Sequence, residues 1–242
     1  MEMMIKDTYE EFEAKYGSRR VTRELNGKGI RCSTNLVAKI MQGKGIKALN
    51  GKGFKYGHQS LSMVNVAENL LWRDFTAKKP NEKWTTDITY IWVKNKWMYL
   101  AVVMDLYSRK IVGWAVDTTM TEELVTEAVS IALGRRGYHK NLIVHSDRGV
   151  QYRAQKYIDF LQSKGCRLSM SRKGNCWDNA PMESFFSRLK VELIYPKNYQ
   201  SIEELKAGLF EYIEIFYNRK RRHSSIGYVS PHEFEERMTI VA

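Results

Sequence analysis

An aspartate in the middle of a strand constrains this chain more than any other residue. Asp87 sits in Trp84-Thr-Thr-Asp-Ile-Thr-Tyr-Ile-Trp-Val93, a run of β-branched and aromatic side chains, and aspartate is depleted from strand interiors. The residues around it set out an alternating architecture. Lys83–Val93 and residues 97–106 read as two strands separated by residues 94–96, which suits a hairpin, and residues 111–116 as a third. Thr121 and Glu122 open a helix to about Arg135; residues 142–146 form a fourth strand, 154–164 a helix, and Arg167–Met170 a fifth strand. Long helices are predicted over 179–194 and 202–218. Three meandering strands followed by βα units give an α/β fold, a mixed five-stranded sheet flanked by helices.

Two further acids stand at informative places. Asp147 closes the apolar strand Leu-Ile-Val-His-Ser, and the carboxyl ends of strands are where open α/β sheets bind ligands. Glu183 lies one turn into an amphipathic helix whose stripe is Met182, Phe185, Phe186 and Leu189, with Lys190 two turns further on. Asp178 or Asn179 is expected to cap that helix, leaving Glu183 near the positive end of its dipole. Taken singly, each acid has an ordinary explanation: an exposed strand position, a turn before Gly149, a first-turn glutamate. Converging, they would repel one another unless divalent metal neutralised them. Oxygen-only ligation points to a pair of Mg²⁺ ions, with Mn²⁺ a substitute, in a site built for in-line phosphoryl displacement. Asp105 reads as a strand-end structural residue and His145 as packed and hydrogen-bonded. Trp177, in the loop before the helix, suits DNA contact and core packing equally.

Charge names the partner class. The 242 residues carry a net charge of +12, which favours a polyanion. No apolar run is long enough to span a membrane, and the acidic N-terminus has no signal-peptide core. Three cysteines without a CxxC pair argue against disulfides and zinc, so a reduced, cytoplasmic, nucleoid-associated setting is expected. Residues 1–43 read as short helices joined by a glycine-bearing turn, with Ser33 capping the third. As a helix-turn-helix they would present Arg19, Arg20, Arg23, Asn35 and Lys39 to DNA; a small bundle with a solvated basic face is equally compatible with the spacing, and the one-sided charge favours DNA. Residues 44–80 read as a basic linker, 81–195 as the core, and 196–242 as a terminal helix and basic tail in which Arg219, Arg221 and Arg222 form a phosphate-binding surface or a solvated helix end.

The strings Trp84-Thr-Thr-Asp-Ile-Thr-Tyr90, His145-Ser-Asp-Arg-Gly-Val-Gln-Tyr152 and Asn175-Cys-Trp-Asp-Asn-Ala-Pro-Met-Glu-Ser-Phe-Phe186 resemble the three acidic motifs of DDE transposases. Leu189-Lys-Val-Glu192 and Tyr217-Asn-Arg-Lys-Arg-Arg-His-Ser-Ser-Ile-Gly227 extend the likeness. Together they resemble the insertion-sequence-three family of bacterial transposases, whose core is similar to retroviral integrase. The resemblance implies an RNase H-like fold, metal ligation by Asp87, Asp147 and Glu183, and Lys190 at the DNA end. It also implies cleavage at the element's terminal repeats, strand transfer into target DNA, and a homo-oligomer on paired ends. Family members are often frameshift fusions, so this chain is expected to be a second-reading-frame product with a first-frame protein as partner. A non-catalytic DNA-binding regulator and a metal-dependent nuclease without joining activity are the rival functions.

Overall fold

A computed structural model describes residues 1–49 and 65–241. Its centre is a five-stranded sheet in the order β3-β2-β1-β4-β5: β1 (Lys83–Val93), β2 (Lys96–Asp105), β3 (Ile111–Asp117), β4 (Ile143–Ser146) and β5 (Arg167–Met170). β1, β2 and β3 are antiparallel, while β4 joins β1, and β5 joins β4, in parallel. Lys94 and Asn95 both hold positive φ at the β1–β2 connection, as a tight two-residue hairpin demands.

Strand alternation divides the core between two faces. On one, Ile91, Leu100, Val102 and Met104 pack beneath α6 (Ala180–Leu189) and α7 (Ile202–Phe210). On the other, Trp84, Ala101, Val103 and Val144 pack beneath α4 (Glu122–Arg136) and α5 (Gln155–Ser163). Gly113 sets how closely α4 lies on β3: a Cβ there would meet the Ala128 carbonyl oxygen at 2.2 Å. The helix predicted over 202–218 packs on the core, where Leu205, Leu209, Tyr212 and Ile213 complete the first face.

Both long helices change register where one continuous α-helix was expected. Lys190–Ile194 and Glu211–Tyr217 are π-helical, with Tyr195 N–H bonding Lys190 O and Asn218 N–H bonding Ile213 O. The extra residue per turn re-aims side chains, and it brings Glu192 and Tyr212 together. Part of the expected linker, residues 50–64, lies outside the described residues. Residues 65–80 run against the core: Leu70 N–H donates to Ser169 Oγ at 2.8 Å, Met170 N–H to Glu68 O at 3.2 Å, and Leu71 is buried.

The N-terminal module has its own small core of Ile5, Tyr16, Val21, Leu25, Val37 and Met41. It contains α1 (Glu2–Glu11), α2 (Ser18–Gly27) and α3 (Thr34–Gly43). Ser33 caps α3 as expected, accepting from Leu36 N–H. The module docks on Phe216. A last helix, α8 (Pro231–Val241), closes the chain. No helix among the described residues is long and apolar enough to cross a membrane.

Candidate active site

Sheet register brings the first two acids level. Lys83 pairs with Ile143 and Thr85 with His145, each sixty positions apart, and Asp87 and Asp147 continue that parallel register by two residues. Asp87 lies on the α6 face, since it alternates with Ile91 and Val93 of that core and stands opposite Val102. One oxygen of each carboxylate is fixed by backbone: Asp87 Oδ1 accepts from Ile88 N–H at 2.8 Å, and Asp147 Oδ1 from Gly149 N–H at 2.8 Å.

The third acid arrives on α6, whose Met182, Phe185, Phe186 and Leu189 enter the core as the stripe predicted. The helix start is not capped as expected, because neither Asp178 nor Asn179 makes a side-chain cap bond. Both residues hold other partners instead. Asn179 Nδ2 donates to Thr86 O at 3.3 Å and its Oδ1 accepts from Thr85 Oγ1, stapling the helix to β1 one and two residues before Asp87. Asp178 is fully buried and accepts from Arg172, Arg73 Nε and Asn69 Nδ2 at 2.9–3.0 Å. These bonds, those from Arg172 foremost, hold its carboxyl far below the usual carboxylate range.

His145 joins the same scaffold. Burial pushes its imidazole down to about 4, so it is neutral near pH 7. The Asp178 carbonyl, 3.0 Å from Nε2, can only accept; Nε2 therefore carries the hydrogen, and Nδ1 accepts from Ser169 Oγ at 2.7 Å. His145 is structural, as its sequence setting indicated. So is Asp105, buried and accepting from Asn81 and Tyr107 N–H.

Asp87 is perturbed by both other acids. Asp87 is half-buried, and its carboxyl is raised well above the ordinary range, by burial first, then by Asp147 and Glu183, against the backbone bond and Lys190. Asp147 stands at the open rim, yet the protein crowding its carboxyl raises it too, opposed by Gly149 N–H and Arg153. Lys190 is buried, its ammonium lowered by burial and partly restored by Asp87, and its Nζ stands 4.7 Å over the Tyr90 ring. Among the described residues no three Asp, Glu, His or Cys side chains close into a ligating cluster. The donor set is nonetheless hard oxygen and anionic, which fits Mg²⁺ or Mn²⁺ rather than zinc.

Arg19, Arg23, Asn35, Lys39 and Arg219 are exposed, as DNA-facing residues must be. Arg221 is not. It is buried against Glu192, with Nε and Nη2 bonds of 2.9 and 2.8 Å, beside Tyr212 Oη, which donates to Glu192 at 2.8 Å. Arg222 pairs with Glu24 across the module interface and Arg20 Nε donates to Arg222 O at 3.0 Å. These three arginines hold the fold together instead of forming an open phosphate surface, because each meets an acceptor remote in sequence. Sequence reading also missed Asn69, Arg73 and Arg172, and gave Asn179 only a capping role. Trp177, whose role the sequence left open, is 66% exposed and not core.

Comparison with known proteins gives consistent matches. Residues 77–176 and 183–238 match models of an integrase core domain, and residues 1–53 an HTH-like domain. The chain is 44% identical over 223 residues to transposase InsF for insertion sequence IS3A of Escherichia coli, covering 92% of this chain and 77% of that one. It is 41% identical to the transposase for insertion sequence element IS904 of Lactococcus lactis subsp. lactis, covering 96% and 92%. Among solved structures, a chain of the simian T-cell lymphotropic virus intasome, solved in complex with the PP2A regulatory subunit B56 gamma, superposes with a TM-score of 0.55 at 18% identity. That match covers 91% of this chain and 70% of the viral one and bears on the fold alone.

Proposed function

Because the chain belongs to the IS3 family of DDE transposases, we propose that Asp87, Asp147 and Glu183 are its catalytic carboxylates and act on the ends of an insertion element. The observation that carries this reading is the raised Asp87 carboxyl, crowded by the other two acids across sixty and ninety-six positions of chain. A protein keeps such repulsion in a half-buried place when a cation or a reaction uses it. When bound, a pair of Mg²⁺ ions supplies charge neutralisation at the phosphate and activation of the attacking oxygen. Asp87, Asp147 and Glu183 would hold the metal, the first two with one oxygen already oriented by backbone N–H groups.

The residues around them have defined tasks. Asn179 keeps the α6 start against β1, so Glu183 stays on the side where Asp87 points. Lys190 places a buried cation beside Asp87, suited to a phosphate oxygen at the reacting end. Hydrolysis forms one P–O bond as another breaks and releases a 3′-hydroxyl. That hydroxyl then attacks a target phosphate, exchanging one P–O bond for another, so strand transfer needs no external energy source. Exposed Arg19, Arg23, Asn35, Lys39 and Arg219 are assigned to DNA. Joining two ends calls for more than one copy on the DNA, and a first-reading-frame protein is proposed as an added partner.

Oligonucleotides carrying element ends, with Mg²⁺ or Mn²⁺ and the first-frame protein where needed, test the assignment. The expected products are nicked and then joined strands, both lost in Asp87→Asn with DNA affinity intact. Binding without cleavage assigns a regulator, nicking without joining a nuclease, and loss of affinity together with chemistry removes Asp87 from the catalytic role.

A further inference from the structure

The β1–β2 hairpin carries an aromatic surface that the acid site does not use. Trp92 and Trp97 are directly paired across the strands, and Tyr90 pairs with Tyr99 on the same face. Trp92 is 52% and Trp97 47% exposed. Their rings meet edge to face with centroids 4.8 Å apart, and Tyr90 meets Trp97 the same way at 5.0 Å. Edge-to-face contacts fix the rings while leaving flat faces outward. Two large indoles left half-exposed side by side on a sheet face mark such a patch as an interaction site.

Charge says what covers it. Residues 88–100, Ile-Thr-Tyr-Ile-Trp-Val-Lys-Asn-Lys-Trp-Met-Tyr-Leu, contain no acid. Lys94 and Lys96 are exposed at the turn. At the other end of the patch, Lys190 stands over Tyr90 and is also in the field of Asp87, so this lysine borders both the aromatic face and the acid site, which lie on opposite faces of β1 beyond the Thr85 end of its pairing with β4. Aromatic faces interleaved with lysines are the pattern that holds unpaired nucleic acid: bases stack on the rings while cations follow the backbone.

We infer that Trp92 and Trp97 form a stacking platform for unpaired bases of the DNA strand leaving the active site, with Lys94 and Lys96 on its phosphates. The inference rests on the catalytic reading above. It also carries a length. Five residues of β-strand separate Asp87 from Trp92, ~17 Å at the usual rise, and the odd interval puts them on opposite faces of β1. The direct span is about five stacked nucleotides, so a strand that rounds the β1 edge past Lys190 meets the platform about five or more positions from the reacting phosphate.

The test uses the full chain and element-end oligonucleotides with an unpaired tail, bearing 2-aminopurine at successive positions from the scissile phosphate. Its fluorescence, quenched on stacking, should fall most at or beyond the fifth position in the wild type and not in Trp92→Ala/Trp97→Ala. Affinity for the tailed end should drop ~10-fold or more in that variant, as loss of base–aromatic stacking does, while affinity for blunt duplex stays unchanged. Trp92→Phe/Trp97→Phe, which keeps the rings, should restore the quenching and so exclude misfolding. Unchanged quenching and affinity in the alanine variant overturn the platform. So does a variant whose only change, by sedimentation, is loss of self-association, which would make the patch a contact between copies. Asp87→Asn separates the two readings: it should lose chemistry and keep the quenching, and a variant that cuts normally while still quenching sinks the catalytic assignment alone.

Discussion

Asp178 and Glu192 flank Glu183 in the same stretch of chain, yet their surroundings are opposite to that of Asp87. Asp178 is fully buried and collects hydrogen bonds from Asn69, Arg73 and Arg172. Glu192 is buried beneath Tyr212 and takes both arms of Arg221. Asp87, by contrast, has acids for neighbours and a raised carboxyl. Arg73, Arg172 and Arg221 are placed on the two structural carboxylates, while Lys190 stands by Asp87 and Arg153 by Asp147 in the reactive cluster. A satisfied buried acid stabilises a shape; a crowded one stores repulsion that a cation can relieve.

The comparison breaks most sharply at the crowded acids. Asp87→Asn and Glu183→Gln should each lower strand cleavage by at least ~100-fold, a loss seen even for outer-shell partners of metal sites. Their thermal midpoints should hold or rise, because repulsion is removed; a clear fall in midpoint would mean that these acids are structural as well. Glu192→Gln should do the reverse. It leaves Arg221 buried without its counter-charge, a change that costs about 3–5 kcal/mol, measurable by urea unfolding, and a variant within ~0.5 kcal/mol of wild type would show that water or another group already serves Arg221.

Smaller effects sharpen the contrast. Asp178→Asn should slow cleavage ~10-fold or more by loosening the approach to α6, since slight misplacement of reacting groups is expensive, while leaving DNA affinity alone. His223 adds a pH dependence. Burial, then the positive charges of Arg221 and Arg20, hold its imidazole well below the ordinary range. An unfolded chain binds a proton near pH 6.5 that folded His223 refuses. Stability is therefore full above that pH and declines as pH falls from there toward the depressed folded value. Urea midpoints at pH 7 and 5 should show this decline, less steeply in His223→Gln. Smallest of all, Arg19→Ala and Arg23→Ala should each reduce the salt dependence of DNA binding by a slope of ~1. Arg222→Lys, already engaged with Glu24, should not.

What the sequence made legible was local. The bounds of β1 and β5 follow from β-branched and aromatic runs, and Ser33 announces its cap. Asp87, Asp147 and Glu183 each stood out against a local pattern, but their influence on one another depends on the β1–β4 register, which no single motif contains. The arginines show where local reading stops. Arg19 and Arg221 look alike in a charge count, yet one is exposed and the other meets a glutamate 29 positions away. The π-helical turns were equally hidden, because one extra residue per turn leaves an apolar stripe that still reads as α-helix. Residues 65–75 fall within the expected linker, and the edge of β5 and the Asp178 carboxylate reveal why they settle on the core.

The parallel register between β1 and β4 has a consequence for how lineages of this protein can diverge. Everything between the two strands, including β2, β3, α4 and their loops, can gain or lose residues in its turns without moving Asp147 from its place beside Asp87. A slip of one position within the four residues of β4 would instead turn that carboxylate to the opposite side of the sheet. Length variation among descendants is therefore expected in the connections, while the spacing from Ile143 to Asp147 stays fixed.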